Sequence, residues 1–532
     1  MFNLLEKPWI PCLLSDGRLC EVGIKEALLD AGEYSELRDP SPLATAAVHR
    51  LLLAVLHRAL GGPKDLKKWM SFWKARCFPT KQISAYLGKW QSRFDLFDDE
   101  YPFYQIGRFE LDDTRPVTQL AQEFAGGNNP TLFDHTCELA ADSWSPAVCA
   151  RWLVANQAFA LGFGRGPTSK MFGPHGSFLD APLARGAMVI LRGGTLFETL
   201  MLNLLVYNEQ SPFEGAGGIV KDIPAWERDK PVKKPGPRPV LGWIDLLTWQ
   251  SRCIRLIHDD GQVRHMYYAQ GEQVNKASRP NDPMWFYVLS EDGEENAVGL
   301  RAERSLWRSS DSLFALSTDT SKGRERRPRA FSQAHRLHDE FEVLSGKDRW
   351  KCSLLGLATA PRKAASVVLW AHEELPVPVR LLRDDQAVKA LSDGLRSSED
   401  AGGALRWALT RLGGELLAFD PANSGRSARK EAAQEKAASL QGLPYYWAEL
   451  ELPFKKFLVG LGEAPDTEGP LVEWRRTIRS TARGAFRKAA ENSLGRSARE
   501  MKARVEAEHE LNKGLKRIGL GADALKEEVT HG

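Results

Sequence analysis

Apolar positions change their spacing several times along the chain, and each change marks an element. Pro8-Trp9-Ile10-Pro11-Cys12-Leu13-Leu14 followed by Ser15-Asp16-Gly17 reads as a strand and a turn. Ser41-Pro42-Leu43 opens a helix with proline at its first turn. The apolar run behind it continues to about Leu60, where Gly61-Gly62-Pro63 stops it, so a helix is expected there. Ser145-Pro146 opens another helix, through Phe159, which runs directly into Gly162-Phe163-Gly164-Arg165-Gly166-Pro167. Arg192-Gly193-Gly194-Thr195 precedes a strongly apolar helix over 196–205. The stretch 233–239 reads as a loop, and a strand-rich segment follows it to about Leu316. A basic surface loop is expected over 321–329. Two apolar runs, 354–357 and 367–370, flank Ala358-Thr359-Ala360-Pro361-Arg362-Lys363-Ala364-Ala365, a hairpin with cations at or near its tip.

The character changes near Pro376. Beyond it Ala, Leu, Arg and Glu recur at helical spacing, giving four long helices at about 384–418, 427–461, 470–491 and 497–517. Short breakers between them imply an antiparallel bundle. The expected fold class is α+β: a large mixed α/β domain over 1–375, then a C-terminal four-helix bundle over 376–532.

Composition narrows the function classes. A chain of 532 residues is too long for one ordinary core. Its formal net charge is +3, so any surface for an anionic partner must be local. The seven cysteines are dispersed and contain no Cys-x-x-Cys pair, which argues against a disulfide framework and a cysteine-rich zinc site. That usage fits a reducing, cytoplasmic setting. The first residues lack a signal-peptide pattern, and no run of eighteen apolar residues occurs, so no membrane partner is expected.

Candidate chemistry is sparse. His258-Asp259 and His338-Asp339 resemble the pairs of metal-dependent phosphohydrolases, but their remaining ligands cannot be placed. His135 and Cys137 are two potential ligands without partners. The glycine segment 162–167 is not a Walker A loop, because no Lys-Ser or Lys-Thr follows it, and a helix rather than a strand precedes it. It is either a tight connection or a place where backbone approaches a partner closely, with Arg165 favouring an anion. A polar loop, Gly126-Gly127-Asn128-Asn129-Pro130-Thr131-Leu132-Phe133-Asp134-His135, lies upstream. From Leu471 to Ile518 there are thirteen Lys or Arg against six Asp or Glu. There Arg475, Arg479, Arg483 and Arg487 fall on one helical stripe, together with Arg476. It is either a solvated face balanced by neighbouring acids or a phosphate-tracking stripe.

Taken in order, these pieces resemble the CasA family, the large subunit of the type I-E CRISPR surveillance complex Cascade. The resemblance rests on Asn3-Leu4-Leu5 with Trp9-Ile10-Pro11, Ala155-Asn156-Gln157-Ala158, the glycine segment, Thr199-Leu200-Met201-Leu202-Asn203-Leu204-Leu205, Trp249-Gln250 and the C-terminal bundle. It implies a non-catalytic protein with no cofactor and no metal, working beside guide RNA and other Cascade subunits. Such a subunit reads the protospacer-adjacent motif of double-stranded target DNA from the minor-groove side. It helps open the duplex and recruits a helicase–nuclease. By the same resemblance Gly162, Gly164, Arg165 and Gly166 form the glycine loop, Lys276 is the lysine finger, and Arg362 and Lys363 stand at the wedge. Asn128, Asn129, Phe133 and His135 belong to the loop that anchors the subunit near the RNA handle. Arg475, Arg479 and Arg483 offer a path for the displaced strand. The alternative is a metal-dependent phosphohydrolase or nuclease built on the His-Asp pairs.

Overall fold

The computed structural model describes residues 1–121, 143–208, 221–230, 232, 234–275, 282–289, 295–315, 327–343, 350–360, 363–417, 426–491 and 497–521. The chain divides into two compact units. The first comprises Met1–Leu306, Ser317–Ser345 and Trp350–Leu375; the second comprises Trp307–Leu316, Gly346–Arg349 and Pro376–Gly532.

The first unit is organised around the helix Pro42–Leu60. Its start follows the sequence signals: the Ser41 hydroxyl accepts the Ala44 N–H, Pro42 sits in the first turn, and Gly61 ends the helix at φ +64°. The helix is long and apolar enough by composition to cross a membrane, and 89% of that stretch is buried inside the fold. Around it pack the helices Pro146–Phe159, Thr80–Lys89, Trp243–Leu247 and Leu196–Asn203, with the strand Lys351–Ala360. Apolar residues all round a helix are the mark of such a central position. Two histidines on it, His49 and His57, are buried, and burial pulls their pKa values down to about 4 and about 3. Buried Arg50 forks onto Asp282 at 2.9 and 3.1 Å.

Among the described residues three three-stranded sheets pack with these helices. The strand Ile10–Leu14 lies between Leu19–Val22 and Tyr34–Leu37, with Gly17 turning the first hairpin at φ +86°. A second sheet is the hairpin Arg252–Asp259 and Gln262–Gln270, flanked by Arg115–Pro116. Its turn, Asp260-Gly261, has both residues at positive φ, the geometry a two-residue hairpin needs. The third places Lys351–Ala360 between Met188–Arg192 and Lys363–Pro376, so the expected hairpin forms with strands longer than its apolar runs. Two local expectations differ. Within 233–239, Gly236–Arg238 pairs in parallel with Glu272–Val274. Buried Asp245 and Glu272 hold it there through Arg228 and Arg238, the latter stacked on Trp249 at 3.8 Å. The strand-rich segment ends early, turning helical at Leu306–Ser309 and Asp311–Phe314.

The second unit is helical, with Asp385–Leu416, Arg426–Ser439, Gly442–Glu463, Glu468–Glu491 and Ala498–Arg517 in order. The span expected as one helix over 427–461 is two. Gln441 sits at φ +56°, and Gly442 begins the next helix against Leu409, leaving no room for a β-carbon. Its core is aromatic: Trp307 stacks on Phe454 at 4.5 Å and Phe457 on Trp474 at 5.4 Å. Trp474 donates its indole N–H to the Gly394 carbonyl.

Candidate nucleic-acid interface

The glycine segment is one limb of an irregular hairpin arm in the first unit. The helix Pro146–Phe159 ends at Ala160, and the chain continues outward beside a returning limb. Ala181 N donates to Ala160 O, Leu183 N to Ala158 O, Phe178 N to Gly164 O and His175 N to Pro167 O. The short ladder Thr168–Ser169 with Gly173–Pro174 closes the arm.

This pairing explains two of the three glycines. A β-carbon on Gly162 would stand 2.8 Å from Phe178 O and 3.0 Å from Leu179 Cα. One on Gly166 would collide with Gly176 O and stand 2.9 Å from His175 O. Both are small because the two limbs press together, a demand internal to the fold. Gly164 differs: it is exposed, at φ +35°, and faces open space. Arg165 beside it is also exposed. The outward-facing part of the expected loop is therefore Gly164-Arg165, with Gly162 and Gly166 as its packed base.

Beneath the arm lies a cationic and aromatic floor that sequence reasoning did not single out. Phe163 and Phe178 stack at 4.2 Å with nearly parallel rings. The Arg115 guanidinium lies over both rings at 5.5 Å and over Tyr268 at 5.9 Å. On the other side Arg252 is fully buried. It donates to the carbonyls of Leu161 at 2.8 Å and Ser251 at 2.9 Å, to the Tyr268 hydroxyl at 3.0 Å and to Gln270 Oε1 at 3.4 Å. Among the described residues neither Arg115 nor Arg252 has a carboxylate partner. Residues 160–179 contain Arg165 and Lys170 and no Asp or Glu. Burial lowers the His175 pKa, and the neutral ring donates from Nδ1 to Gln270 O while Nε2 accepts from Ser169. The outer part of the arm thus combines two exposed glycines, Gly164 and Gly176, with local positive charge that no acid within 160–179 cancels. Arg252 had one legible signal: it alternates in phase with Ile254 and Leu256, which puts it on a buried strand face.

The remaining expected residues fall elsewhere. Lys363 begins the second strand of the hairpin, and Arg362 lies outside the described residues, as do Lys276, Asn128, Asn129, Phe133, His135 and Cys137. In the second unit, the Arg483 guanidinium is held by Asn512 Oδ1 at 2.8 and 2.5 Å, and Arg475, Arg476 and Arg479 also have partners within the fold. The stripe on Glu468–Glu491 is therefore at least partly engaged in internal contacts. His258 packs on Phe97 near a hairpin turn, and Asp339 pairs with His335 across one helical turn. Among the described residues no three His, Cys, Asp or Glu side chains gather as a metal site, so the phosphohydrolase reading gains no support there.

Comparison with known proteins decides the family. The family model described as CRISPR-associated protein Cse1 matches residues 3–485. The chain belongs to the Cse1 family. A Cse1 relative from Thermus thermophilus, CRISPR-associated protein CasA/Cse1, is 34% identical over 97% of this chain and 98% of its own length. A crystal structure of Thermus thermophilus CasA superposes with a TM-score of 0.80 at 30% identity, covering 97% of this chain and 99% of that one. Cse1 from Acidimicrobium ferrooxidans superposes at 0.78 with 26% identity, over 99% and 98% of the two chains. The family expected from the ordered motifs is thus the family found, and the mixed fold with its helical C-terminal region matches that of the solved Cse1 structures.

Proposed function

We propose that this Cse1-family chain is the large, non-catalytic subunit of an RNA-guided CRISPR surveillance complex. In this reading it recognises a protospacer-adjacent motif in duplex DNA, helps open the duplex, and provides the surface for a helicase–nuclease. It needs no cofactor and works in the cytoplasm beside guide RNA and partner subunits. One observation carries the DNA-reading part: Gly164-Arg165 stands exposed on a stretch, 160–179, free of acids, whose Phe163 and Phe178 rings are flanked by two guanidiniums that have no carboxylate partner among the described residues. The minor groove is narrow and chemically degenerate, so a reader there relies on close backbone approach and a few cations. The exposed glycine supplies the first and Arg165 the second. Breaking the first base pairs costs about 1–2 kcal/mol per stacking step, which guide pairing and backbone contacts offset without covalent chemistry.

The test is a binding screen with a reconstituted complex, with and without this chain, against a library of duplexes randomised beside a guide-matched target. The reading expects a short flanking motif to be enriched only when the chain is present. Equal enrichment without it would remove the motif-reading role.

A further inference from the structure

Among the described residues, Arg185 joins the arm to the strand Lys351–Ala360 of the hairpin. Asp180, on the returning limb, accepts the Gly162 N–H at 2.8 Å. Arg185 grips the same carboxylate with two donors, Nε at 2.7 Å and Nη2 at 3.1 Å. Its third donor group, Nη1, reaches Thr359 Oγ1 at 2.8 Å. Thr359 is the penultimate residue of the strand Lys351–Ala360, three positions before Arg362. The backbone on either side of this contact is closely packed. A β-carbon on Gly299 would stand 2.7 Å from Arg185 O, and one on Gly356 would stand 3.3 Å from Gly186 O.

We infer that Asp180, Arg185 and Thr359 form a positioning link that ties the seated glycine arm to the strand Lys351–Ala360 of the hairpin, so that motif binding positions this hairpin before strands part. The inference rests on the DNA-reading function proposed above. A guanidinium is planar and rigid, so its three donor groups keep a fixed relation. Displacing Asp180 therefore displaces the hydroxyl contact at the hairpin. Arg185 and Asp180 are each about one-third exposed, at 33% and 32%. A partly exposed pair contributes little to global stability, which suits a link that must rearrange.

The experiment uses the full complex with guide RNA and the variants Arg185→Ala, Arg185→Lys and Thr359→Val. The probes are a closed duplex carrying the selected motif and the same duplex with a mismatched bubble at its first target base pairs. Strand opening is read by 2-aminopurine fluorescence and stability by thermal melting. On closed duplex, Arg185→Ala and Thr359→Val are expected to slow opening on the order of five-fold, the low end of ordinary inter-site coupling. On the bubble they should match the parent, with melting temperatures unchanged. Arg185→Lys keeps a charge for Asp180 but cannot span both partners, so it should behave like Arg185→Ala. The double variant should be no slower than either single change. Parent-like opening of closed duplex by both variants, or equal slowing on closed and bubbled probes, would overturn the link. Gly164→Trp separates the two levels. If it leaves motif dependence intact, the reading of the arm fails. If it abolishes motif dependence while the Arg185 variants open duplex normally, only the link fails.

Discussion

The three glycines of the arm's outgoing limb should separate cleanly under substitution. Gly166→Ala drives a methyl group into the carbonyl of Gly176 and against His175. Both obstacles are attached to backbone that is itself paired, so relief requires the limbs to part. Overpacking of this kind costs about 1–3 kcal/mol, and a backbone obstacle puts Gly166 near the upper end. Gly162→Ala meets Phe178 O at 2.8 Å and should fall in the same range, with a risk to the Asp180 hydrogen bond. Gly164→Ala meets nothing and bears only the strain of a left-handed conformation, about 1 kcal/mol. Urea unfolding followed by tryptophan fluorescence measures the stability of each variant. Gel-shift titration with motif-bearing and motif-free duplexes measures recognition in the assembled complex. Gly166→Ala and Gly162→Ala should lose stability. Gly164→Trp should keep most of it and lose motif-dependent affinity by about ten-fold, equivalent to about 1.4 kcal/mol. Parent-like stability of Gly166→Ala, or parent-like motif binding by Gly164→Trp, would refute the division into packed base and outward apex.

Other outcomes follow from the same geometry. His49 and His57 stay neutral in the fold at pH values where free histidine is charged, so the unfolded chain binds more protons below about pH 6.5. Each should cost about 2 kcal/mol at pH 5 relative to neutrality. Asp222, raised by burial to about 6, has the opposite sign and gains about 1 kcal/mol over the same range. The net loss, about 3 kcal/mol, is measurable by urea unfolding at about pH 7.5 and pH 5. No loss on acidification would contradict it. In the second unit, Arg475→Glu with Arg479→Glu should weaken capture of the displaced strand and lower its salt dependence by about two. An unchanged salt slope in a filter-binding titration would assign the stripe to internal contacts alone. Phe133→Ala should weaken incorporation into the complex, measured by size-exclusion co-elution, without altering the melting of the free chain. Parent-like co-elution would remove Phe133 from the anchor.

Local signals carried over well where one residue type had one mechanical reason. Ser41-Pro42 and Ser145-Pro146 start helices because a hydroxyl caps an N–H and proline surrenders none. The strand–turn at Gly17 and the hairpin around Pro361-Arg362 were equally readable. The break at Gln441 was legible in principle, since Gly442-Leu443-Pro444 is a fair helix start, but unbroken apolar spacing outweighed it. What could not be read was pairing at a distance. Nothing near Gly166 announces Gly176 as its obstacle, nothing in 307–316 assigns it to the helical unit, and nothing around Arg185 points to a hydroxyl 174 residues away. The glycine arm was therefore found by composition, but the distinction between its base and its apex required the fold.

The sealed guanidinium of Arg252 has a consequence for brine. Mobile ions gather around Arg165 and blunt its pull within roughly 10 Å at about 0.1 M salt. They do not reach the buried guanidinium of Arg252, so its hydrogen bonds inside the fold are screened much less. As salt rises, the pull of Arg165 on a phosphate should therefore fade, while the seat that Arg252 gives the arm through the Leu161 carbonyl should hold.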